Sequence, residues 1–215
     1  MPRPIYEFIH GNEDVFDLAE LLPLDLQGWG STHPLFEHVL GTIRPRLIVE
    51  VGSWKGGSAI HMARLSKQLG LEAEIVCIDT FLGSPEHWTN PEFRPGLRLK
   101  NGQPRLYDQF LSNVVREGMQ DVITPFPISS TAGAFVLMRA PMPPDMVYVD
   151  AGHEYEDVRR DIELYWDLLR PGGVLMGDDF VPLWHGVIRA ASEFASQRRL
   201  NLQLSGEKWI VQKGA

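Results

Sequence analysis

One stretch constrains the fold of this chain more than any other: an apolar run that ends in a glycine-rich turn. Residues 47–51 read Leu-Ile-Val-Glu-Val, and Gly52, Gly56 and Gly57 follow before a helical pattern that ends near Leu69. A continuous apolar run of this kind is typical of a parallel strand buried on both faces. A strand, a glycine turn and a helix N-terminus in this order form the corner at which α/β proteins bind nucleotides.

The alternation of strand and helix continues along the chain. Further strands are predicted at 74–78, 121–126, 146–149 and 174–176. A helical pattern follows each of these strands directly, except that a long loop follows the strand at 74–78. Residues 200–204 and 208–212 flank a three-residue connection with a glycine, which predicts an antiparallel hairpin. We therefore predict one α/β domain over residues 1–215, doubly wound around a mostly parallel seven-stranded sheet.

Two irregular segments accompany this framework. Residues 1–33 form an N-terminal extension, in which 14–22 is predicted to be a short helix that stops at Pro23. Residues 80–104 form a loop rich in proline and glycine that also carries aromatic side chains. Loops of this length in a compact domain are usually functional, so we predict a lid over the site.

Composition and charge limit the classes of function. The formal net charge of −8 disfavours a nucleic-acid partner. The single cysteine, Cys77, lies in an apolar run, which predicts a core residue and a reducing compartment. The first 25 residues lack the pattern of a secretory signal, and no window has the apolar length of a membrane helix. We expect a cytoplasmic protein without a membrane partner, for which a second copy of the chain is a candidate partner.

Every predicted parallel strand ends in polar residues or glycine. In a doubly wound sheet, ligands bind beyond the carboxyl ends of the strands, where the strand order reverses. One such acid would be ordinary turn chemistry, but five strand ends that share this character indicate a ligand site. The residues are Gly52, Asp79, Ser129, Ser130, Asp150, Asp178 and Asp179.

Three nucleotide types compete for the glycine turn. A phosphate-binding P-loop would have lysine where this chain has Ser58. A dinucleotide fingerprint would have glycine where this chain has Trp54, whose indole would crowd a pyrophosphate. An adenosyl ligand without phosphates needs close backbone approach at Gly52 and Gly56 and an acid for the ribose, and Asp79 stands 27 residues after Gly52. S-adenosylmethionine fits these requirements best.

The pattern Glu50-x-Gly52-x-Trp54-x-Gly56-x-Ser58, combined with the acids at 79, 150, 178 and 179, resembles the class I S-adenosylmethionine-dependent methyltransferases. The runs 148–155, 171–173 and 177–179 are similar to those of metal-dependent O-methyltransferases, which include catechol and antibiotic-sugar enzymes. The resemblance covers about residues 35–212 and implies a Rossmann-like fold.

The resemblance also implies roles for individual residues. The glycine turn would hold the methionine portion of the cofactor, Asp79 the ribose, and the serines after the third strand the adenine side, while Glu50 would support the turn from below. Three acids would bind Mg²⁺ or another divalent cation, which prefers oxygen ligands. The cofactor set is Gly52, Ser53, Trp54, Gly56, Ser58, Asp79, Ser129, Ser130, Thr131 and Asp150, and the metal set is Asp150, Asp178 and Asp179.

The implied reaction is methyl transfer to one of two vicinal hydroxyls of a small molecule. A metal on Asp150 would lower the pKa of that hydroxyl, and His153, which stands where the family carries a catalytic lysine, would be the general base. A second departure is Asp179, where catechol enzymes carry an amide. A saccharide is one candidate acceptor, because tryptophan faces and histidine donors suit sugar rings. The candidate substrate contacts are Trp29, His33, His87, Trp88, Trp184 and His185.

Other readings stay open at this point. The same acids could serve a metal-dependent hydroxylase or hydrolase, although an iron site would need two histidines and only His153 is near the acids in sequence. A non-catalytic protein that binds an adenosyl ligand is a further alternative. Lys55 could hold a substrate oxygen, but a solvated loop lysine is the expectation.

Overall fold

The computed structural model describes residues 2–18 and 20–214. Its strands are β1 Leu47–Val51, β2 Glu74–Asp79, β3 Ile123–Pro127, β4 Met146–Val149, β5 Val174–Gly177, β6 Gln203–Ser205 and β7 Lys208–Gln212. Its α-helices are α1 Pro4–His10, α2 Leu35–Ile43, α3 Gly57–Gln68, α4 Pro85–Thr89, α5 Leu106–Arg116, α6 Ser130–Leu137, α7 Tyr155–Leu168 and α8 His185–Arg198.

The seven strands form one sheet in the order β3-β2-β1-β4-β5-β7-β6. Strands β1 to β5 are parallel, β7 runs antiparallel to β5, and β6 pairs with β7 as a hairpin. The doubly wound, Rossmann-like, mostly parallel sheet with a C-terminal hairpin is confirmed. The strand order reverses between β1 and β4, so the chain segments that leave these two strands diverge there and open a crevice.

Two apolar cores cover the two faces of the sheet, because successive side chains of each buried strand point to opposite faces. On one face, Ile48 of β1 packs with Phe36 of α2 and Phe110 of α5. On the other, Val49 packs with residues of α7 and α8 such as Ile162. Cys77 is buried in the first core, where the sequence predicted it.

The N-terminal extension differs from the prediction. The described residues between Asp14 and Leu22 form turns and irregular backbone, so the helix predicted there is wrong. A helix forms earlier instead, at Pro4–His10, because its free N–H groups find a distant partner: the carboxylate of Glu74 on β2 accepts from Ile5 N at 3.1 Å and Tyr6 N at 2.6 Å. No local capping pattern in the sequence predicts this contact.

Residues 20–31, which we call the strap, run across the top of α5. Buried polar side chains of that helix fasten it: Ser112 Oγ accepts from Leu22 N at 3.1 Å, and Asn113 Oδ1 accepts from Asp25 N at 3.0 Å. Lys55 of the glycine turn pairs with Asp25 at 2.7 Å and is almost fully buried. The expectation of a solvated loop lysine is therefore wrong.

The loop 80–104 is packed onto the domain. It contains α4 and a 3₁₀ turn at Arg94–Leu97. Phe81 at its start and Leu97 near its end are both buried in the core beneath it. The part between these two anchors stands over the crevice, and its role as a lid stays a prediction. Among the described helices, none is long and apolar enough to cross a membrane.

Candidate active site

The glycine turn after β1 is shaped by contacts within the chain. Gly52 has a φ of +86°, and a Cβ there would lie 1.9 Å from the carbonyl oxygen of Asp150. Gly56 has a φ of +84°, and a Cβ there would lie 3.0 Å from the ring of Phe110. Both glycines are thus required because β4 and α5 approach the turn. This reason differs from the predicted one, which was approach of a ligand to the backbone.

Glu50 lies beneath the turn, out of reach of solvent. Its Oε1 accepts from Ser58 Oγ at 2.6 Å, while its Oε2 has no hydrogen-bond partner among the described residues. Burial raises the pKa of this carboxyl to about 7, against the hydrogen bond from Ser58 that lowers it. Glu50 therefore contacts the turn from below and does not line the crevice.

Asp79, the acid at the end of β2, holds the turn from the other side. Its Oδ2 accepts from Ser53 N and Trp54 N, each at 2.9 Å, and its Oδ1 accepts from Phe81 N at 2.7 Å. These bonds fix Trp54 at a φ of +48°, a left-handed conformation that costs a non-glycine residue about 1–2 kcal/mol. The predicted contact of Asp79 with a ribose stays a prediction.

The crevice between the strand ends is a cavity of about 580 Å³. The glycine turn, the strap, residues 84–93 and the ends of β4 and β5 enclose it. The predicted site residues that line it are Gly52, Ser53, Trp54, Ser58, Asp150, His153, Asp178, Asp179, Trp29, His87 and Trp184. Lining residues that the sequence reasoning missed include Gln27, Ser31, Glu86, Asn90, Phe93 and Glu207.

Other predicted cofactor residues lie outside this cavity. Ser129 caps α6, where its Oγ accepts from Ala132 N at 3.4 Å. The carbonyl of Ser130 accepts from the hydroxyl of Tyr165 at 2.7 Å. Thr131 follows in the first turn of α6, and Gly56 lies behind the turn. Their predicted contacts with the cofactor remain predictions.

Three predicted substrate contacts are not brought to the cavity. His33 Nδ1 accepts from Leu35 N at 3.1 Å at the start of α2. The indole N–H of Trp88 donates to the carbonyl of Leu82 at 2.9 Å. His185 is exposed at the start of α8. Two of these side chains thus hydrogen-bond their local backbone, and the predicted substrate contacts of all three stay predictions.

An aromatic wall of four side chains lines the other side of the cavity. The indole of Trp54 stacks on His87 with ring centres 4.1 Å apart and planes 17° apart. Trp29 of the strap lies 6.0 Å from His87 and meets Phe93 edge-on at 5.6 Å. The wall therefore joins three segments that are distant in sequence.

His153 faces this wall from the acidic side of the cavity. Its Nε2 lies 2.9 Å from Asp179 Oδ2, and its Nδ1 lies 3.5 Å from Glu86 Oε1. The ring stacks on Trp184 at 4.0 Å. Burial lowers the pKa of His153, but the hydrogen bond that its Nε2 donates to Asp179 and the charges of Asp179, Glu86 and Asp150 outweigh burial and raise the pKa above its ordinary value.

Asp150 and Asp178 share a buried network with Tyr148. The Tyr148 hydroxyl lies 2.8 Å from Asp178 Oδ2 and 3.1 Å from Asp150 Oδ2, so it can donate to one carboxylate at a time. Burial and the charges of Asp178 and Asp179 raise the pKa of Asp150 to about 8. The sequence reasoning missed Lys208 of β7, which is 1% exposed and ion-paired with Asp178. The only signal in the sequence is the hairpin, which sets β7 beside β5.

The three acids do not fit a metal ion in this arrangement. Both oxygens of Asp178 are taken, Oδ1 by Asp179 N at 2.9 Å and Oδ2 by Lys208 Nζ. Asp179 is paired with His153. Within residues 2–18 and 20–214, no group of three or more His, Cys, Asp or Glu side chains is arranged to hold a metal.

An adenosyl ligand fits better. Ser53 Oγ is buried on the cavity wall, and it has no hydrogen-bond partner in the described part of the chain. A buried hydroxyl without a partner is normally satisfied by a ligand or water. The open corner next to the N-terminus of α3 thus offers unsatisfied polar groups to the polar end of a ligand.

Comparison with known proteins agrees with the geometry. The family model described as a methyltransferase domain matches residues 49–180, which is more than half of the chain. The chain therefore belongs to this methyltransferase family, and its fold is that of the class I S-adenosylmethionine-dependent enzymes. A search of curated proteins finds no significant match.

Solved structures share the fold at low sequence identity. An O-methyltransferase from Bacillus cereus in complex with SAH has 19% identity and a TM-score of 0.61, with 99% of this chain and 93% of that chain covered. The O-methyltransferase TomG from Streptomyces achromogenes, involved in tomaymycin synthesis and in complex with SAM, has 19% identity and a TM-score of 0.58, with 93% and 85% covered. The calicheamicin methyltransferase CalS11 has 18% identity and a TM-score of 0.61, with 84% and 77% covered.

Proposed function

We propose that this protein is an O-methyltransferase that moves a methyl group from S-adenosylmethionine to a hydroxyl of a small molecule. The observation that carries the proposal is one cavity that joins the glycine turn to His153 and its partner Asp179. A methyl donor at the turn and a hydroxyl near the imidazole would then meet in the same enclosed space. The similar folds of O-methyltransferases with SAH or SAM bound support this proposal.

The side chains of the chain can supply the proton chemistry. When bound, S-adenosylmethionine supplies an electrophilic methyl group on its sulfonium. The imidazole of His153 would take the proton of the acceptor hydroxyl as that oxygen receives the methyl group, and the thioether released by the transfer would be neutral. Asp179 stabilises the imidazolium that results, at 2.9 Å from Nε2.

The cavity walls favour an acceptor that has both flat apolar faces and hydroxyls. Trp29, Trp54 and Trp184 offer ring faces, while Asp150, Asn90 and Glu86 offer polar atoms on the same walls. A saccharide or a catechol would match this combination. Water exclusion by the strap and by residues 84–93 would favour transfer to the intended oxygen.

The magnesium dependence predicted from the sequence finds no support in the donor set, so no step is assigned to a metal. Asp150 would instead contact the bound ligands directly through the carboxylate oxygen that Tyr148 does not approach. A vicinal second hydroxyl on the acceptor would be a hydrogen-bond partner for this oxygen.

Calorimetry and a transfer assay test the proposal together. Titration with SAM and SAH measures cofactor binding, and transfer of labelled methyl groups to a panel of catechols, polyols and glycosides measures catalysis. His153→Gln should reduce transfer by about 10²- to 10⁴-fold with little change in SAH binding. The matched control is His185→Gln, since His185 is exposed outside the cavity. Absence of SAM and SAH binding would refute the proposal, and binding without transfer to any hydroxyl would favour a non-catalytic adenosyl-binding protein.

A further inference from the structure

A buried lysine, Lys208, lies behind the acids of the cavity, and the proposed function gives it no role. Lys208 is the first residue of β7, and the pairing of Trp209 with Gly177 of β5 sets it beside Asp178. Its ammonium is ion-paired with Asp178 Oδ2, and both side chains are almost fully buried at 1% and 6% exposure. A buried charge is tolerated only when it is closely paired, so each of these two groups requires the other.

The surroundings hold the ammonium in one place. Its Nζ donates to the Tyr148 hydroxyl at 2.8 Å and lies 5.1 Å from the ring centre of Phe36. Residue 30 of the strap covers the pair, since a Cβ on Gly30 would lie 3.1 Å from Asp178 Oδ2 and 3.3 Å from Lys208 Nζ. The lysine is thus sealed between the sheet, α2 and the strap and cannot swing into the cavity.

The positive charge acts on two acids. It contacts Asp178 directly, and it reaches Asp150 through the Tyr148 hydroxyl, which accepts from the lysine and can donate to either carboxylate. A cation that holds two acids at the carboxyl ends of β4 and β5 does what a divalent metal would do in a metal-dependent version of this site.

We propose that Lys208 is a built-in replacement for that metal, so that the site neither binds nor needs a divalent cation. Lys208 is a positioning residue: it fixes Asp178 and, through Tyr148, the orientation of Asp150 on the cavity wall. The inference rests on the proposed function for its transfer readout, but its binding readout is independent of any catalysis.

The direct test is a titration with Mn²⁺, followed by the electron paramagnetic resonance signal of the free ion. Any saturable Mn²⁺ binding by the wild-type protein should persist in the Asp178→Asn variant. Lys208→Met keeps the apolar stem and removes the charge. This variant should bind Mn²⁺ at least about tenfold more tightly than the wild-type protein does, because two carboxylates lose their internal cation. The matched control is Lys100→Met, a change of one exposed lysine that should leave Mn²⁺ binding unchanged.

Several results would overturn the proposal. One is saturable Mn²⁺ binding by the wild-type protein that Asp178→Asn abolishes; another is a folded Lys208→Met variant with no gain in binding. A third is methyl transfer that EDTA abolishes and Mg²⁺ restores. If Lys208→Met fails to fold, the Mn²⁺ titration of the wild-type protein still tests the proposal. The double variant Asp178→Asn/Lys208→Met removes both charges, so it should fold and bind no Mn²⁺. Calorimetry with SAH separates the two proposals, because loss of SAH binding would refute the enzyme function and leave the metal result standing.

Discussion

Glu50 offers the sharpest quantitative test of the structure, because its burial couples protonation to folding. The pKa of its carboxyl is about 7 in the folded protein, against 4.5 when exposed. Folding therefore favours the protonated acid. The contribution of Glu50 to stability is fully present below about pH 4.5 and is lost as the pH rises through about 7. At about 1.4 kcal/mol for each pH unit, the loss amounts to at most about 3.5 kcal/mol.

Glu50→Gln removes this dependence and keeps the shape of the side chain. Its amide oxygen can still accept from Ser58, and it cannot ionise. We expect the variant to gain about 2–3 kcal/mol relative to the wild type between pH 5 and pH 8, with no further gain above pH 8.

Urea unfolding of both proteins at pH 5, 6, 7 and 8 measures this change. The quantity to compare is the difference in the free energy of unfolding between the two proteins at each pH, because the other titrating groups contribute to both and cancel. A difference that stays constant over this range would refute the reasoning, because it would mean that Glu50 keeps its charge in the folded state. A difference of opposite slope would mean that neighbouring donors stabilise the carboxylate.

Three further predictions concern the turn, the base and the cavity. Gly52→Ala should destabilise the protein by at least about 2 kcal/mol more than Gly118→Ala in urea unfolding, because both have positive φ but a Cβ on Gly118 meets nothing within 4 Å; equal losses would contradict the close approach of β4. The kcat/KM for methyl transfer should fall as the pH drops through a pKa above 6.5, because the raised pKa of His153 keeps the base protonated there, and His153→Gln should lose this limb of the profile; an unchanged limb would assign it to another group. Trp184→Ala should raise the KM for the acceptor by about tenfold through loss of a ring face, whereas Trp88→Ala, outside the cavity, should change it less than twofold; similar effects in both would place the acceptor elsewhere.

Local patterns were enough to predict the sheet and its polar edge. Each buried strand is an apolar run of four to six residues between turns, so the strands from Leu47 to Val174 were found within one to two residues at most of their ends. The polar residues that follow them were then placed at a common edge by the geometry of parallel strands. Asp150, His153, Asp178 and Asp179 do meet in one cavity for that reason.

The predictions failed where a side chain takes a partner far along the chain. The helix α1 depends on Glu74, 69 residues from Ile5, and the burial of Lys55 depends on Asp25, 30 residues before it. His33 and Trp88, by contrast, hydrogen-bond nearby backbone groups and lie outside the cavity, and their contact with a substrate stays a prediction. The type of a residue shows which partners its side chain can bind. It does not show which of those partners the fold brings into contact with it.

The sequence by itself thus determined the class of fold and the polar edge of the sheet, because periodic burial and turn chemistry depend on neighbouring residues. Its resemblance to the methyltransferases implied the cofactor. Only the tertiary structure showed which side chains the acids at that edge contact. Lys208 lies 30 residues after Asp178 and 60 after Tyr148, and it reaches both because the hairpin turns β7 back along β5. That pairing satisfies the carboxylate charge from within the protein, and no pattern of neighbouring residues encodes it.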